Sequence, residues 1–150
     1  MIALIQRVSE STVKVDNQII STINKGILIL LGITHNDSYD DVSWLCNKII
    51  NLRIFDDNDG VMNKSCLEMN FDILTISQFT LHARTKKGNR PSYIDAAKPE
   101  QAIPLYNSFI KELDNLMNKK TYSGIFGADM KVSLCNDGPV TIIIDSKNKQ

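Results

Sequence analysis

The run Gly26-Ile27-Leu28-Ile29-Leu30-Leu31-Gly32-Ile33 restricts the fold more than any other stretch of the chain. It has no polar side chain, so a strand built from it cannot turn either face towards water. Apolar runs of this length are typical of strands that are covered on both faces. We therefore predict that 26–33 forms a central strand of the sheet.

Other segments supply strands for that sheet. Residues 2–8 are apolar until Gln6 and Arg7, and Val13 and Val15 alternate with polar residues, which is the period of a half-buried strand. The turn-prone pair Asp16-Asn17 predicts a hairpin over 11–23. By the same criteria, strands are predicted at 71–81, 122–126, 131–135 and 140–144.

Two segments have the apolar spacing of helices. Ser38 is a suitable N-cap, and apolar residues recur at helical spacing from Val42 to Leu52, which predicts a helix over 39–52. A second helix is predicted from Pro99 to about Met117. With about seven strands and two main helices, we predict one domain over 1–150, of mixed α/β class with a mainly antiparallel sheet and a frayed tail at 146–150.

Charge and cysteine content limit the function classes. The chain has 17 basic and 17 acidic residues, so any contact with RNA must come from a local patch. Three widely spaced cysteines favour a reducing, cytoplasmic location over a disulfide framework. Gln6 and Arg7 interrupt the apolar N-terminus, so we expect no signal peptide, and no apolar run is long enough for a membrane span.

The predicted strand at 71–81 ends in the polar residues Ser77, Gln78 and Thr80. A strand that leaves a core in this way brings backbone N–H groups and polar side chains to one point, which is a common way to build a pocket. Backbone N–H groups at that point could stabilise an oxyanion without any titrating group. The hydroxyl of Thr80 could instead be a nucleophile, and His82 is the nearest residue in sequence that could act as its base.

Several patterns can be explained by a structural role as well as by a functional one. A solvated or hydrogen-bonded histidine is a simpler interpretation of His82 than the partner of Thr80. The acidic segment 56–60 resembles a calcium loop, but Ser65 stands where such a loop has glutamate. The two histidines and three cysteines share no ligand spacing, so we predict no metal.

Two loops can each be explained by a functional role or by a purely structural one. Gly138-Pro139 could adopt a cis peptide bond and present bare carbonyls to a ligand, or could be an ordinary turn. The loop 84–90 could bind phosphates or could be a solvated surface. Trp44, Phe79 and Phe126 are aromatic residues that could stack on a base. The cations of the loop are Arg84, Lys86, Lys87 and Arg90.

Two motifs resemble the D-aminoacyl-tRNA deacylases: Ser77-Gln78-Phe79-Thr80 and Asn136-Asp137-Gly138-Pro139-Val140-Thr141. The similarity runs from Met1 to Asp145. It includes Gln6-Arg7-Val8-Ser9, Leu30-Leu31-Gly32, Lys48-Ile49, Asn51-Leu52-Arg53-Ile54-Phe55, Gly88, Arg90-Pro91-Ser92 and Gly127-Ala128-Asp129-Met130. The chain departs from the family at Asp16-Asn17, where a glycine turn is common.

The resemblance implies a barrel-like core and a homodimer without a cofactor that removes D-amino acids, and also glycine, from the 3′-terminal adenosine of tRNA. It implies that 77–80 lines the pocket and that Gly138-Pro139 is cis and enters the pocket of the partner subunit. Arg7 matches the arginine that supports this segment, and Asn136 and Met130 stand in the matching motifs. The family's mechanism uses the 2′-hydroxyl of the tRNA, and the loop 84–90 becomes an acceptor-stem contact.

Three alternatives remain open at this point. The chain could be a non-catalytic RNA-binding module that uses the loop 84–90. It could also be a metal-dependent hydrolase of a small ester or amide, for which the sequence gives little support. Within the same fold, it could be an editing domain with another amino acid or tRNA preference.

Overall fold

The computed structural model describes residues 1–149 and contains eight strands and three α-helices within them. In chain order these are β1 (Ile2–Val15), β2 (Gln18–Ile23), β3 (Gly26–Gly32), α1 (Tyr39–Ile50), β4 (Phe55–Asp56), β5 (Met62–Lys64), α2 (Cys66–Met69), β6 (Asp72–Ser77), a 3-10 helix (Phe79–His82), α3 (Pro99–Met117), β7 (Tyr122–Ser123) and β8 (Lys131–Asp145). The predicted mixed α/β class with two main helices is confirmed.

The sheet has the order β2-β1-β3-β6-β7, and β8 pairs with β1. The long strand β1 pairs antiparallel with β3 through its first half and with β2 through its second half, while β8 runs antiparallel along it. The pairs β3–β6 and β6–β7 are parallel. Ser21 Oγ on β2 donates a hydrogen bond to the Ser123 carbonyl on β7 over 2.8 Å, so the two ends of the sheet nearly close into a barrel.

The predicted central strand is β3, which lies between β1 and β6 and is almost entirely buried. Ile27, Ile29 and Leu31 belong to the larger core, which they share with the inner faces of α1 and α3. Leu28, between them, points to the opposite face and packs in a second core inside the curled sheet. Both faces of β3 are therefore covered, as its uniform apolar sequence requires.

Local sequence signals account for the turns and helix starts. The hairpin between β1 and β2 turns at Asp16 and Asn17, whose φ angles of 49° and 62° suit a two-residue hairpin loop. Ser38 caps α1 in a capping box with Asp41, and its backbone N–H donates to Asp41 Oδ2 over 2.8 Å. Helix α1 ends at Ile50, two residues before the predicted end.

Several strand predictions were wrong in their bounds. The strand predicted at 122–126 is β7, which ends at Ser123. The strand predicted at 71–81 ends at Ser77, and Phe79–His82 is a 3-10 helix. The strands predicted at 131–135 and 140–144 are one strand, β8, because the intervening segment stays along β1 with two shifts in register. The segment 136–139 is therefore an interruption within a strand and not a turn between two strands.

The region between α1 and β6 contains elements that the sequence did not signal. The loop predicted at 56–60 is the turn of the β4–β5 hairpin. Its Asp57 Oδ1 accepts hydrogen bonds from the backbone N–H groups of Asp59 and Val61, over 3.0 and 3.1 Å, so this carboxylate stabilises the turn itself. The short helix α2 follows directly.

The end of the chain is more ordered than we expected. Ser146, placed in the predicted frayed tail, is buried, and its Oγ donates to Asp41 Oδ1 over 2.7 Å. Lys147 Nζ donates to Asp41 Oδ2 over 2.7 Å. The expectation for residue 150 lies outside the described residues. Within 1–149, no helix has the length and apolar character to cross a membrane.

Candidate active site

A cavity of about 450 Å³ opens where the parallel strands β3 and β6 end side by side. Leu31 and Ser77 are paired at this edge, so both strands deliver their last residues to the same place. The lining is mostly apolar and comprises Leu31, Ile33, Ile76, Ser77, Gln78, Phe79, Ala96, Ala97, Pro99, Ala102, Phe126, Gly127, Ala128, Met130 and Val132. A pocket of this size and character is suited to a small organic group.

Residues 77–79 form one wall of this cavity. The Gln78 N–H donates to the Leu31 carbonyl over 2.8 Å, and the chain then turns into the 3-10 helix. Within residues 1–149, the N–H groups of Phe79 and Thr80 have no backbone acceptor. Thr80 does not line the cavity itself, and its Oγ1 accepts a hydrogen bond from Gln78 Nε2.

Gly32, at the end of β3, allows the 3-10 helix to lie close to the sheet. A Cβ at this position would be 3.0 Å from Leu81 Cβ, 3.1 Å from the Gln78 carbonyl oxygen and 3.1 Å from His82 Cδ2. Two of these atoms belong to the backbone or its first side-chain carbon, so they cannot move without moving the helix. The small size of Gly32 therefore determines the position of the wall formed by residues 77–79.

The opposite wall is built by the segment between β7 and β8. Met130 Sδ would lie 2.5 Å from a Cβ on Gly124, so the absence of that carbon leaves room for the thioether. Phe126 contacts the buried ring of Tyr106 at a centroid distance of 5.4 Å. Tyr106 donates its hydroxyl to the Thr75 carbonyl over 2.9 Å, and burial raises its pKa, so it anchors this wall as a neutral phenol.

Gly138 and Pro139 lie on β8, apart from this cavity, and both are exposed. The peptide bond between them is cis. Asn136 braces the segment internally, because its Oδ1 accepts from the Val140 N–H over 2.8 Å and its Nδ2 donates to Thr141 Oγ1 over 2.9 Å.

Arg7 braces the same segment from β1. Its side chain is buried, and Nε donates to the Asp137 carbonyl over 2.7 Å. Nη1 donates to the Ile54 carbonyl over 2.7 Å and lies 3.3 Å from Asp56 Oδ1. The predicted site residues thus fall into two groups: 77–79 and Met130 at the cavity, and Arg7, Asn136, Gly138 and Pro139 around the exposed segment of β8.

The basic loop begins beside the cavity wall. Arg84 forms a bidentate ion pair with Asp95, and this contact raises the pKa of Arg84 and lowers the pKa of Asp95. Lys86, Lys87 and Arg90 are exposed and make no ion pair within the described residues. Of the four predicted cations, Arg84 is therefore paired with Asp95 at the start of the loop. The side chains of the other three are exposed to solvent.

The comparisons with known proteins agree over the whole chain. The family model described as D-Tyr-tRNA(Tyr) deacylase matches residues 4–145. The chain belongs to this family. It is 62% identical over 150 residues to the D-aminoacyl-tRNA deacylase of Bacteroides fragilis strain YCH46 and 61% identical to that of Flavobacterium psychrophilum, with all of each chain covered. The resemblance drawn from the sequence motifs is confirmed, and with it the classification as a hydrolase of this family.

Two solved structures share the fold of this chain. A protein described as c-Myc DNA Unwinding Element Binding Protein superposes with a TM-score of 0.92 and 41% identity over 97% of this chain and 98% of that one. A probable eukaryotic D-amino acid tRNA deacylase superposes with a TM-score of 0.83 at 14% identity, over 95% of this chain and 97% of that one. The second similarity bears on the fold only.

The suggested pair of Thr80 and His82 does not form a hydrogen bond. Thr80 Oγ1 contacts Gln78, and His82 Nε2 is buried without a partner in the described residues. The prediction rested on a strand in which both side chains share a face, and the 3-10 helix removes that arrangement. No group of three histidine, cysteine or acidic residues that could hold a metal occurs within 1–149.

Two residues near the candidate site residues were not identified from the sequence. Tyr93 contacts Phe79 at the mouth of the cavity, and Asp56 lies beside the Arg7 guanidinium. Tyr93 stands in a segment without periodicity, and Asp56 stands in an acidic turn that looks ordinary. The only available signal for Tyr93 was its place immediately after the family motif Arg90-Pro91-Ser92.

Proposed function

We propose that this chain is a cytoplasmic homodimeric enzyme that removes D-amino acids, and glycine, from tRNA by hydrolysing the ester at the 3′-terminal adenosine. The observation that carries the proposal is the cavity at the ends of β3 and β6, with Ser77, Gln78 and Phe79 on one wall and Met130 on the other. Its volume suits an adenosine with an aminoacyl group, and family membership supplies the substrate class.

The chemistry requires little from side chains, because an aminoacyl ester is already activated. Water adds to the carbonyl carbon, the bond to the ribose 3′-oxygen breaks, and the products are the free amino acid and the tRNA 3′-hydroxyl. The N–H groups of Phe79 and Thr80 are free to hold the oxyanion that forms. The neighbouring 2′-hydroxyl of the tRNA assists the proton transfer, and Thr80 serves to position Gln78.

Selection of the D-configuration comes from the partner subunit. Gly138 and Pro139 are exposed, braced by Arg7 and Asn136, and apart from the cavity of their own chain, which suits a segment that enters another subunit. Their carbonyls form a wall that clashes with an L side chain. Glycine has no Cβ and passes this wall.

The exposed cationic side chains of Lys86, Lys87 and Arg90 contact phosphates of the acceptor stem. They lie on the loop that begins just after the 3-10 helix, so a bound strand leaving the cavity meets them first. Phosphate contacts of this kind position the nucleic acid without reading its sequence.

Hydrolysis of D-Tyr-tRNA and L-Tyr-tRNA by the purified chain tests the proposal. We expect rapid release of D-tyrosine, slow release of L-tyrosine, and release of glycine from Gly-tRNA. Equal rates on both tyrosyl substrates, or no hydrolysis of either, would overturn it. A parallel assay with a chelator and a binding assay with uncharged tRNA separate the metal-dependent and binding-only alternatives, since the proposed mechanism survives chelation and turns over substrate.

A further inference from the structure

The mouth of the cavity has an aromatic pair that remains open to solvent. The rings of Phe79 and Tyr93 meet edge to face, with centroids 5.0 Å apart and an interplanar angle of 78°. The exposed fractions are 57% for Phe79, 41% for Tyr93 and 68% for the adjacent Ile94. The other two aromatic pairs of the described chain each contain a buried ring, so this pair differs from them in its exposure.

Tyr93 stands on a segment that is held firmly at the cavity rim. Thr34 Oγ1 donates to the Asp95 carbonyl over 2.6 Å, and the Ala97 N–H donates to the Ile33 carbonyl over 2.9 Å. The Arg84–Asp95 ion pair fixes the same segment from the other side. Ala96 and Ala97 then line the cavity itself. The two exposed rings are therefore held in a fixed position before a ligand binds.

Positively charged residues lie on the loop that directly precedes Tyr93 of the aromatic pair. Arg84 and Ser92 form a two-way backbone bridge, with N–O distances of 2.8 and 3.0 Å, which closes the loop between them directly before Tyr93. Lys86, Lys87 and Arg90 lie on that loop. Exposed aromatic rings beside a cationic track are the combination by which proteins bind single-stranded nucleic acid, because bases stack on the rings and phosphates meet the cations.

We propose that Tyr93, with the outer part of Phe79, forms a stacking subsite for the nucleotide base that precedes the terminal adenosine of tRNA. This inference rests on the proposed function, since the terminal adenosine then occupies the cavity and the strand leaves past Phe79. The subsite contacts the single-stranded 3′ end and does not touch the ester. Its loss therefore weakens substrate binding and leaves the chemical step unchanged.

Two substrates of different length separate this subsite from the cavity. D-Tyr-tRNA carries the preceding nucleotides, and the 3′-D-tyrosyl ester of adenosine lacks them. For Tyr93→Ala we expect KM for D-Tyr-tRNA to rise about tenfold, in line with the loss of stacking on one base, with kcat unchanged. We expect no change in either constant on the adenosine ester. Tyr93→Phe retains the ring and should restore the wild-type KM.

Tyr39→Ala is the matched control, because Tyr39 is 61% exposed at the start of α1 and outside the cavity lining. An equal loss on both substrates would show that Tyr93 only supports Phe79, and it would overturn the subsite. Unchanged kinetics on D-Tyr-tRNA would overturn it as well.

A binding assay keeps the subsite testable apart from catalysis. Fluorescence anisotropy with an uncharged RNA oligonucleotide ending in CCA measures affinity whether or not the chain hydrolyses esters. We expect Tyr93→Ala to weaken this binding about tenfold at constant salt. Inactivity of the wild-type chain on both esters would refute the proposed function, whereas equal affinity of wild type and Tyr93→Ala for the oligonucleotide would refute the subsite.

Discussion

Arg7 Nε donates a hydrogen bond to the carbonyl oxygen of Asp137 over 2.7 Å, which ties β1 to the residue before Gly138. The same guanidinium donates to the Ile54 carbonyl and approaches Asp56. One buried side chain thus connects the exposed segment of β8 to the β4–β5 hairpin. A Cβ on Gly138 would lie 3.0 Å from Arg7 Nη2, so the glycine and the arginine also fit each other sterically.

Arg7→Lys should disturb this connection although the positive charge is kept. An ammonium group cannot reproduce the fork that serves Asp137 and Ile54 together. We expect the free energy of unfolding to fall by about 1–3 kcal/mol, because one buried carbonyl loses its donor. We also expect the D/L ratio of hydrolysis rates to fall roughly tenfold, since Gly138-Pro139 is no longer braced.

Urea unfolding and paired assays on D- and L-Tyr-tRNA measure the two effects. Arg53→Lys is the control, because Arg53 is exposed and its one hydrogen bond within residues 1–149 is to the Asn63 carbonyl over 3.0 Å. A variant that loses stability but keeps its full D/L ratio would show that Arg7 has no part in selection.

Gly32→Ala should shift the cavity wall. The added Cβ lies within 3.0–3.1 Å of Leu81, Gln78 and His82, and the Gln78 contact is to a backbone oxygen. The 3-10 helix must therefore move by a few tenths of an ångström. We expect a loss of about 1–3 kcal/mol in stability and a fall of roughly 10- to 100-fold in kcat/KM on D-Tyr-tRNA. Full activity in a folded variant would contradict the proposed role of the wall formed by residues 77–79.

The sequence predicts the elements whose burial pattern is unambiguous. The strand at 26–33 is one example, because a run without polar residues can only lie between two covered faces. The two main helices are others, since their apolar residues recur at a single period. These elements define the mixed α/β fold, and the motifs at 77–80 and 136–141 identify the family.

The positions of the site residues depend on contacts that no local sequence pattern predicts. Ser77-Gln78-Phe79-Thr80 contains neither glycine nor proline, and β6 stops there because Gln78 bonds to Leu31 while Gly32 leaves space for a turn. No local pattern predicts the burial of Arg7, because charged residues are normally exposed. Only the resemblance to the family gave it a supporting role, and distant carbonyl partners stabilise it in the interior.

Asp41 should make the fold sensitive to acid. Burial opposes its ionisation, but hydrogen bonds from Lys147, Ser146 and the Ser38 backbone outweigh this effect and lower its pKa. A carboxyl with a lowered pKa contributes stability above its ordinary pKa of about 4, and loses it as pH falls towards the folded value. We expect Asp41→Asn to cost about 1–2 kcal/mol at pH 7, since Lys147 is half exposed, and to cost less at pH 3.

Urea unfolding at pH 7, 5 and 3 measures this dependence. Asp40→Asn is the matched control, because Asp40 is exposed in the same first turn of α1. A constant difference between Asp41→Asn and wild type at all three pH values would contradict the role of the ionised carboxylate.

The three cysteines should differ sharply in reactivity. Burial raises the pKa of the Cys46 thiol, and the charge of Glu112 raises it further. Burial raises the pKa of Cys66 to about 12. Cys135 is exposed. Because the thiolate is the reactive form, we expect a thiol reagent at pH 8 to modify one cysteine per folded chain and three in urea. Cys135→Ser should abolish the reaction of the folded chain, and rapid modification of the other two would show that the core opens.

Mixed dimers test whether Gly138-Pro139 acts on the partner subunit. Pro139→Ala frees the segment that is proposed to form the wall, so this variant alone should hydrolyse D- and L-Tyr-tRNA at similar rates. Ala97→Trp fills the cavity from its lining, so this variant alone should be inactive. In a mixed dimer, the open cavity of the first subunit meets the intact wall of the second, and we expect selective D-Tyr-tRNA hydrolysis to return.

The mixture is made by co-expression with two affinity tags and purified through both. If each wall instead acts on its own cavity, the only open cavity in the mixed dimer still has the altered wall, and hydrolysis stays unselective. Recovery of a D/L ratio at least tenfold above that of Pro139→Ala therefore distinguishes the two arrangements. A chain that stays monomeric at assay concentrations would remove the partner from the mechanism altogether, because the exposed segment on β8 would then have no second cavity to enter.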